Sequence, residues 1–365
     1  VYEAEQFLDH DGINLEQQIP VRVKIIVEGD EMTVDLSQMP PPVVGNINCG
    51  TTAGLSGAQV GFKTLTTPTL VPINDGAMRP LKVILPDNTI ISAPKAAAMR
   101  NWMAVPDTIV DTMWKALTPA MPGRGPAGHH GLLGGGIGIG NRYDANGQII
   151  NLRGLNAGSM TGGGWGAVCD ADGQPATICI NDGDTHAGPT EGGEAKSPDI
   201  VLERKLWKDS GGAGKFRGGL GAYQRIETRY AADLFGGGGM SREKCPPFGV
   251  FGGKDAPPQK RMYRRKADAE DQRIVAGGPP VRLSPGDNVV VYQAGGGGFG
   301  DPLERDPQKV LADARNEYIS LEAAERDYGV VIHRGGPHNR TYTLDERATR
   351  ILRAQIHEQR TNRGA

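Results

Sequence analysis

Apolar and polar residues alternate near the beginning of the chain. A period of two puts successive side chains on opposite faces of a strand, so the alternation predicts two strands with one buried face. Glu28-Gly29-Asp30 separates them and favours a tight β-hairpin turn. The alternating apolar positions are Val21, Val23, Ile25 and Val27, then Met32, Val34 and Leu36.

Two later segments have helical spacing. Residues 51–66 predict a helix that Gly54, Gly57 and Gly61 weaken. A second helix is predicted to open at Asp107 and to end before Pro119. Its apolar residues fall on one helical face, and they are Ile109, Val110, Met113, Trp114 and Leu117. Between the two helices, residues 80–92 predict two short strands around Asp87-Asn88.

The centre of the chain is rich in glycine and in strand-like patterns, and the end is helical. Strand-like runs occur at 167–180, 199–207, 221–230 and 287–293. Helix signals follow: an N-cap at Asp306-Pro307, a C-cap at Gly329, and a capping box at Thr343-Leu344-Asp345-Glu346. We therefore expect an α+β protein. Residues 1–300 would form a body with a Gly-rich, β-rich central region, and residues 301–365 a helical C-terminal arm.

Composition excludes several classes of protein. The formal net charge is -2, so there is no basic field for nucleic acid or an anionic membrane. No apolar run approaches the ~20 residues that span a bilayer, and no signal peptide opens the chain. The four cysteines form no C-x-x-C pair, which favours reduced thiols and a cytoplasmic location. Because the chain begins at Val1, we expect a processed fragment or an N-terminal part on another polypeptide.

Glycine occurs 54 times in 365 residues, about twice the usual share of ~7%. The segment 209–219 superficially resembles a phosphate-binding loop, but Phe216 follows Lys215 where that motif needs Ser or Thr. A structural turn is the better interpretation. Residues 294–307 contain four consecutive glycines. They indicate either an anion-binding nest or, more commonly, a sharp strand-to-helix transition packed under another element.

The best candidates for chemistry lie on the loop 181–191. Asp182, Asp184, His186 and Glu191 could bind a divalent metal or act as acid and base. The simpler alternative is an Asx-turn loop with solvated charges. His130 is a further candidate imidazole. In an extended segment adjacent histidines point to opposite sides, so at most one of His129 and His130 would reach a given site.

Taken together, the motifs resemble the hydantoinase B/oxoprolinase family, specifically the C-terminal half of its members. The resemblance covers nearly the whole chain. The matching segments, in order, are 2–12, Asn46-Ile47-Asn48-Cys49, 162–166, 189–196, 209–219, Pro247-Phe248-Gly249-Val250-Phe251-Gly252-Gly253, 295–307 and 323–331. The family includes subunits of N-methylhydantoinases, 5-oxoprolinases and acetone or acetophenone carboxylases.

The resemblance also implies partners. Family members carry an earlier half with Asn-Asp-Pro and Gly-Gly-Thr-His-x-x-Asp elements, which resemble metal-ligand regions and have no counterpart in this sequence. No metal ligand can therefore be assigned to this chain. A divalent metal, Zn or Mn, would be held by an N-terminal hydantoinase B-like half. ATP and Mg would be bound by a hydantoinase A-like subunit.

Three functions are consistent with this resemblance. The first is a subunit of an ATP-dependent amidohydrolase, in which a partner phosphorylates a cyclic amide or imide before the ring is opened. The second is a subunit of an ATP-dependent ketone carboxylase of the acetone or acetophenone type. The third is a structural subunit without catalysis. The implied substrate of both enzymes is a small molecule.

Overall fold

The computed structural model describes residues 1–66, 71–131, 137–151, 154–155, 162–181, 188–196, 199–236, 241–274 and 279–364. Helices and strands are interspersed along the chain, which confirms the predicted α+β class. The helices are α1 (Thr51–Thr66), α2 (Asp75–Met78), α3 (Ala104–Leu117), α4 (Thr190–Lys196), α5 (Pro307–Arg315), α6 (Leu321–Tyr328) and α7 (Glu346–Gly364). The strands are β1 (Tyr2–Leu8), β2 (Ile19–Glu28), β3 (Glu31–Asp35), β4 (Leu81–Ile84), β5 (Ile137–Tyr143), β6 (Ile149–Asn151), β7 (Gly154–Leu155), β8 (Asp199–Leu206), β9 (Ala222–Thr228), β10 (Ala231–Gly236), β11 (Lys260–Arg264), β12 (Gln272–Arg273), β13 (Val281–Leu283), β14 (Asn288–Tyr292), β15 (Ile332–Gly335) and β16 (Thr341–Leu344).

Within the described ranges the strands form four sheets. The first has the order β1-β2-β3-β4, antiparallel except for the parallel pair β3-β4. The second runs β13-β10-β5-β6, with β7 paired to β5, and the third runs β12-β11-β14-β9-β8. The fourth is the two-stranded pair β15-β16. The middle sheets account for the predicted β-rich central region.

The main core lies between the first sheet and helices α1 and α3. The hairpin prediction is confirmed, with Val21, Val23, Ile25 and Val34 buried on one face of β2 and β3, except that Val27 next to the turn is exposed. The three glycines that weaken the helix prediction for α1 are all buried. A Cβ on Gly57 would lie 3.2 Å from Pro106 Cα, and one on Gly61 would lie 2.5 Å from Met113 Sδ. Small residues therefore let α1 approach α3 closely.

Backbone packs on backbone in the glycine layer, which we define as residues 162–166, 211–219 and 295–298. A Cβ on Gly296 would lie 1.9 Å from the Trp165 carbonyl oxygen. The three segments are joined directly: Gly212 N donates to Gly296 O, and Gly219 N donates to Trp165 O, each over 2.9 Å. These contacts agree with the structural interpretation of the glycine-rich segments 209–219 and 294–307, because no side chain could fit between the packed backbone segments.

Three predicted elements are wrong in detail. Residues 89–92 form a turn instead of a second strand, and Ile90 is held there by backbone bonds to Pro40 and Cys49. The run 167–180 is not a strand. Its backbone instead bonds to the glycine layer and its neighbours, as when Ala167 N donates to Gly297 O (2.9 Å). Helix α3 begins at Ala104, before Asp107.

The C-terminal helices mostly follow the prediction. Asp306 caps α5 and accepts from Gln308 N, and Gly329 ends α6 with a left-handed φ of 61°. The predicted capping box is wrong, because Thr343 belongs to β16 and Asp345 caps α7 by accepting from Ala348 N (2.8 Å). The C-terminal elements bury a separate apolar cluster that includes Val310, Leu311, Ala324 and Tyr328. The division at residue 300 stays a prediction.

Among the described residues, no helix is both long and apolar enough to cross a membrane.

Candidate functional site

Helices α1 and α3 and the segment 178–181 enclose a cleft of about 450 Å³. Most of its wall is apolar, and Trp102 stands at its rim with 41% of its surface exposed. This combination of an apolar concavity with a few polar groups is typical of small-molecule sites. The lining residues are Gly50, Thr52, Ala53, Ser56, Gly57, Val60, Trp102, Pro106, Asp107, Val110, Ile180 and Asn181.

Asp107 is the one carboxylate among the described residues that line the cleft. It lies in the first turn of α3 and is buried. The N-terminal end of a helix favours a negative charge there, because the peptide dipoles point their positive ends toward it. Asp107 can therefore orient a polar group in the cleft through a hydrogen bond to its carboxyl group.

Asn181 ties the opposite wall of the cleft to α3. Its side-chain Nδ2 donates to the Met103 carbonyl oxygen just before the helix (3.4 Å), and its Oδ1 accepts from Cys179 Sγ (3.0 Å). The candidates Asp182, Asp184 and His186 follow Asn181 directly in the sequence but lie outside the described residues.

Glu191 lies in the first turn of α4 and is exposed. The structure does not bring it to the lining of the cleft. No three His, Cys, Asp or Glu side chains come together to hold a metal ion in the ranges that the structure covers.

A buried ion pair lies one helical turn beyond Asp107. Asp111 Oδ1 bonds to His129 Nδ1 (2.8 Å), and Asp111 Oδ2 accepts from Arg242 Nη2. All three side chains are fully buried. Burial opposes ionisation of Asp111, but Arg242 and His129 outweigh it and lower the pKa of this carboxyl. Since an ionised carboxylate only accepts, His129 Nδ1 carries the proton of that bond.

Behind the cleft, four rings form what we call the ring cluster: Trp114, His129, His130 and Trp165. The His129 ring centroid lies 5.6 Å from those of Trp114 and His130, and 5.9 Å from that of Trp165. The expectation that the two histidines point to opposite sides was wrong, because rings opposed across a strand would lie farther apart. Trp165 Nε1 donates to the Ile178 carbonyl oxygen (2.8 Å) and so holds the cleft wall.

His130 is neutral at ordinary pH. Burial lowers the pKa of its imidazole to about 3, because the protonated form would have to lose its hydration. Its Nδ1 lies 3.3 Å from Gln293 Nε2, and its ring packs where a Cβ on Gly163 would clash. His130 is thus part of the ring cluster and not of the cleft lining.

Sequence reasoning missed Asp107, Asp111 and Arg242 as site residues. A signal for the first two was present: they stand four residues apart on a helix that is otherwise apolar on that face, and such residues share a face. Arg242 carried no local signal, because its partner Asp111 is 131 positions away in sequence.

Comparison with known proteins identifies relatives over almost the whole chain. The family Hydantoinase B/oxoprolinase matches residues 1–302. The chain is 32% identical to caprolactamase subunit beta of Pseudomonas jessenii, over 97% of this chain and 59% of the relative. It is 28% identical to the acetone carboxylase alpha subunit of Xanthobacter autotrophicus, over 82% of this chain and 43% of the relative.

The similarity that the sequences show extends to a solved structure. The crystal structure of the ATP-dependent caprolactamase from Pseudomonas jessenii superposes with a TM-score of 0.80 at 29% identity, covering 96% of this chain and 60% of that one. The chain thus spans about half the length of the curated relatives it matches.

Proposed function

This chain belongs to the hydantoinase B/oxoprolinase family, and from that premise we propose that it works as a subunit of an ATP-dependent amidohydrolase complex. The substrate is a cyclic amide or imide, which a partner subunit activates by phosphorylation before the ring is opened. The likeness to the caprolactamase, in both sequence and structure, carries this proposal.

The size and polarity of the cleft support a small cyclic amide. A cleft of about 450 Å³ lies within the usual range of ~300–1,000 Å³ for ligand sites. The methylene groups of a lactam ring suit the apolar walls formed by Val60, Val110 and Ile180. The amide suits the polar end at Asp107 and Asn181, where a carboxylate oxygen can accept a bond from the ring N–H.

We propose that the acid and base roles fall to candidates that follow Asn181 in the sequence. We assign proton transfer to the loop that follows Asn181, through Asp182, Asp184 and His186, with Glu191 as a more distant candidate. Ring opening forms a bond from a water oxygen to the activated carbon, breaks the C–N bond and releases the phosphate. The departing nitrogen must gain a proton, which a nearby imidazole or carboxyl can deliver. His130 contributes indirectly, because it is buried in the ring cluster.

In this proposal, partner subunits bind the nucleotide and the metal ions. ATP and Mg belong to a hydantoinase A-like subunit in this proposal, and a Zn or Mn ion to an N-terminal hydantoinase B-like half. The described residues bring no three potential ligands together, so they do not by themselves fit such an ion. The steps assigned to this chain are therefore binding, exclusion of water and proton transfer.

The second candidate is an ATP-dependent ketone carboxylase, which the likeness to the acetone carboxylase alpha subunit favours. The same cleft would then take a ketone of similar size.

Turnover by the intact complex separates the two candidates. ATP consumption is measured on a panel of lactams, hydantoins, 5-oxoproline and small ketones, with and without bicarbonate. We expect ring-opened product and ATP consumption with a cyclic amide in the absence of bicarbonate. Turnover of a ketone only with bicarbonate would replace the proposal with the carboxylase. If no compound of the panel is turned over, the remaining function is that of a structural subunit.

A further inference from the structure

Two walls of the cleft, helix α3 and the segment 178–181, contact the ring cluster. On one side, α3 places Asp107 in the cleft and, one turn later, Asp111 against His129. On the other side, Trp165 contacts the His129 ring and holds Ile178, two residues before the lining residue Ile180. The imidazole of His129 therefore connects α3 to the opposite wall, beside the bond from Asn181 to Met103 and the contact of Trp114 with Trp165.

Arg242 has three properties that set it apart in this connection. It is fully buried, and its guanidinium bonds to Asp111 only through Nη2, while Nε and Nη1 find no hydrogen-bond acceptor among the described residues. Its backbone has a left-handed φ of 71°. A non-glycine residue costs free energy in that conformation, and such strain persists where the surroundings fix the residue, often at functional sites.

We propose that Asp111, His129 and Arg242 form a positioning unit that holds the two walls of the cleft at the separation required for turnover. Arg242 keeps Asp111 ionised, and Asp111 fixes the proton of His129 on Nδ1 and with it the orientation of the ring. The ring in turn sets the place of Trp165 and of the wall that leads to Asn181. None of the three lines the cleft, so they act through position. This inference rests on the proposed function.

Alone, Asp111→Asn would leave Arg242 as a buried charge without a counter-ion, which can prevent folding. The test therefore uses the double variant Asp111→Asn, Arg242→Met, which removes both charges. The matched control is Glu243→Gln, Arg261→Met. It removes a neighbouring buried ion pair between Arg261 and Glu243 (2.5 Å), and with it the bond of the exposed Arg273 to the same carboxylate (2.9 Å); all three residues lie outside α3. A third variant, His129→Asn, keeps an N–H donor beside Asp111 and removes the ring that touches Trp165.

All variants are assembled into the complex and checked by their thermal midpoints. We expect two variants to lower kcat about 100-fold, the size of effect that a displacement of ~1 Å produces. They are the double variant Asp111→Asn, Arg242→Met and the single variant His129→Asn. KM should change little, because the cleft lining is intact. The control should keep the kcat of the unmodified complex. Hydrogen exchange of the backbone amides at 178–181 should be faster in the first two variants and unchanged in the control.

Equal loss of kcat in the control, or unchanged exchange at 178–181 in folded variants, would overturn the positioning unit. The exchange measurement needs no substrate, so it tests the inference even where the complex turns over no cyclic amide. If the complex proves to be a carboxylase, kcat is measured on the ketone, and the comparison with the control stands unchanged.

Discussion

Arg305 and Arg242 are both buried and both ion-paired, yet their surroundings differ. Arg305 makes two parallel bonds to Asp172, each 2.7 Å, and a third to Asp313 (2.8 Å). Its backbone lies in the ordinary extended region. Arg242 bonds to one carboxylate and has a left-handed backbone. Among the described residues two of its nitrogens find no acceptor, against one, Nε, in Arg305.

The difference separates a structural network from a positioning one. Arg305 joins the segment before α5 to the loop at Asp172, and the second carboxylate, Asp313, lies on α5 itself. Bidentate pairing of this kind favours a fixed geometry. Arg242 joins α3 to a segment about equally far away in the sequence, but through one bond to one carboxylate, and it lies behind the cleft. The proposed positioning role of Arg242 therefore rests on its incomplete bonding and its place behind the cleft, since buried charge is common to both residues.

The largest effect expected from the comparison of Arg305 with Arg242 is on the free energy of unfolding. We expect Arg305→Met to lower the free energy of unfolding by about 3 kcal/mol, because it leaves Asp313 in the interior with only part of its positive partners. The value lies at the lower end for a broken buried pair, since Asp172 is one-third exposed and Arg217 still contacts Asp313 (3.3 Å).

Chemical denaturation measures that loss, with Arg326→Met as the control. Arg326 is exposed and pairs with Asp327, so its loss should cost at most about 1 kcal/mol. Folded Arg305→Met should keep the kcat of the unmodified complex. A large fall in kcat without a fall in stability would put Arg305 in the same class as Arg242.

A smaller effect concerns the pH dependence of stability. The pKa of His130 is lowered to about 3 in the folded chain, whereas an unfolded histidine titrates near ~6.5. Between these values the unfolded state binds the extra proton, so stability falls as pH drops below about 6.5, by up to ~1.4 kcal/mol per pH unit from this group.

Denaturation at pH 7, 6 and 5 tests the contribution of His130. We expect His130→Gln to flatten the slope over this range, because glutamine does not titrate. His357→Gln, which changes an exposed position on α7, should follow the unmodified chain. An unchanged slope in His130→Gln would mean that His130 accepts a proton in the folded protein.

Local patterns predicted the elements that local forces stabilise. The hairpin β2-β3, helix α1 and the caps at Asp306 and Gly329 follow from neighbouring residues alone. The run 167–180 failed because its bonds go to segments far away in the sequence, such as Gly297. No periodicity in that run could reveal that distant glycines would supply its partners.

The candidate site was predictable only in part. The loop after Asn181 was chosen for its carboxylates and imidazole, and the residue before it does line a cleft. The family resemblance indicated the type of reaction, and the family match over residues 1–302 confirms the family itself. The ring cluster could not be foreseen, because it joins α3 to residues 129–130 and 165 through tertiary packing.

The central claim is that the cyclic amide is opened in the cleft between α1 and α3, and filling that cleft tests it most directly. Ser56→Trp places an indole in the cleft, whereas Thr51→Trp changes an exposed residue of α1 that is absent from the lining and falls on the opposite helical face. We expect Ser56→Trp to lower kcat/KM of the assembled complex for its lactam at least about 10-fold, or ~1.4 kcal/mol, with Thr51→Trp near the unmodified value. Equal kcat/KM in the two variants would contradict the claim.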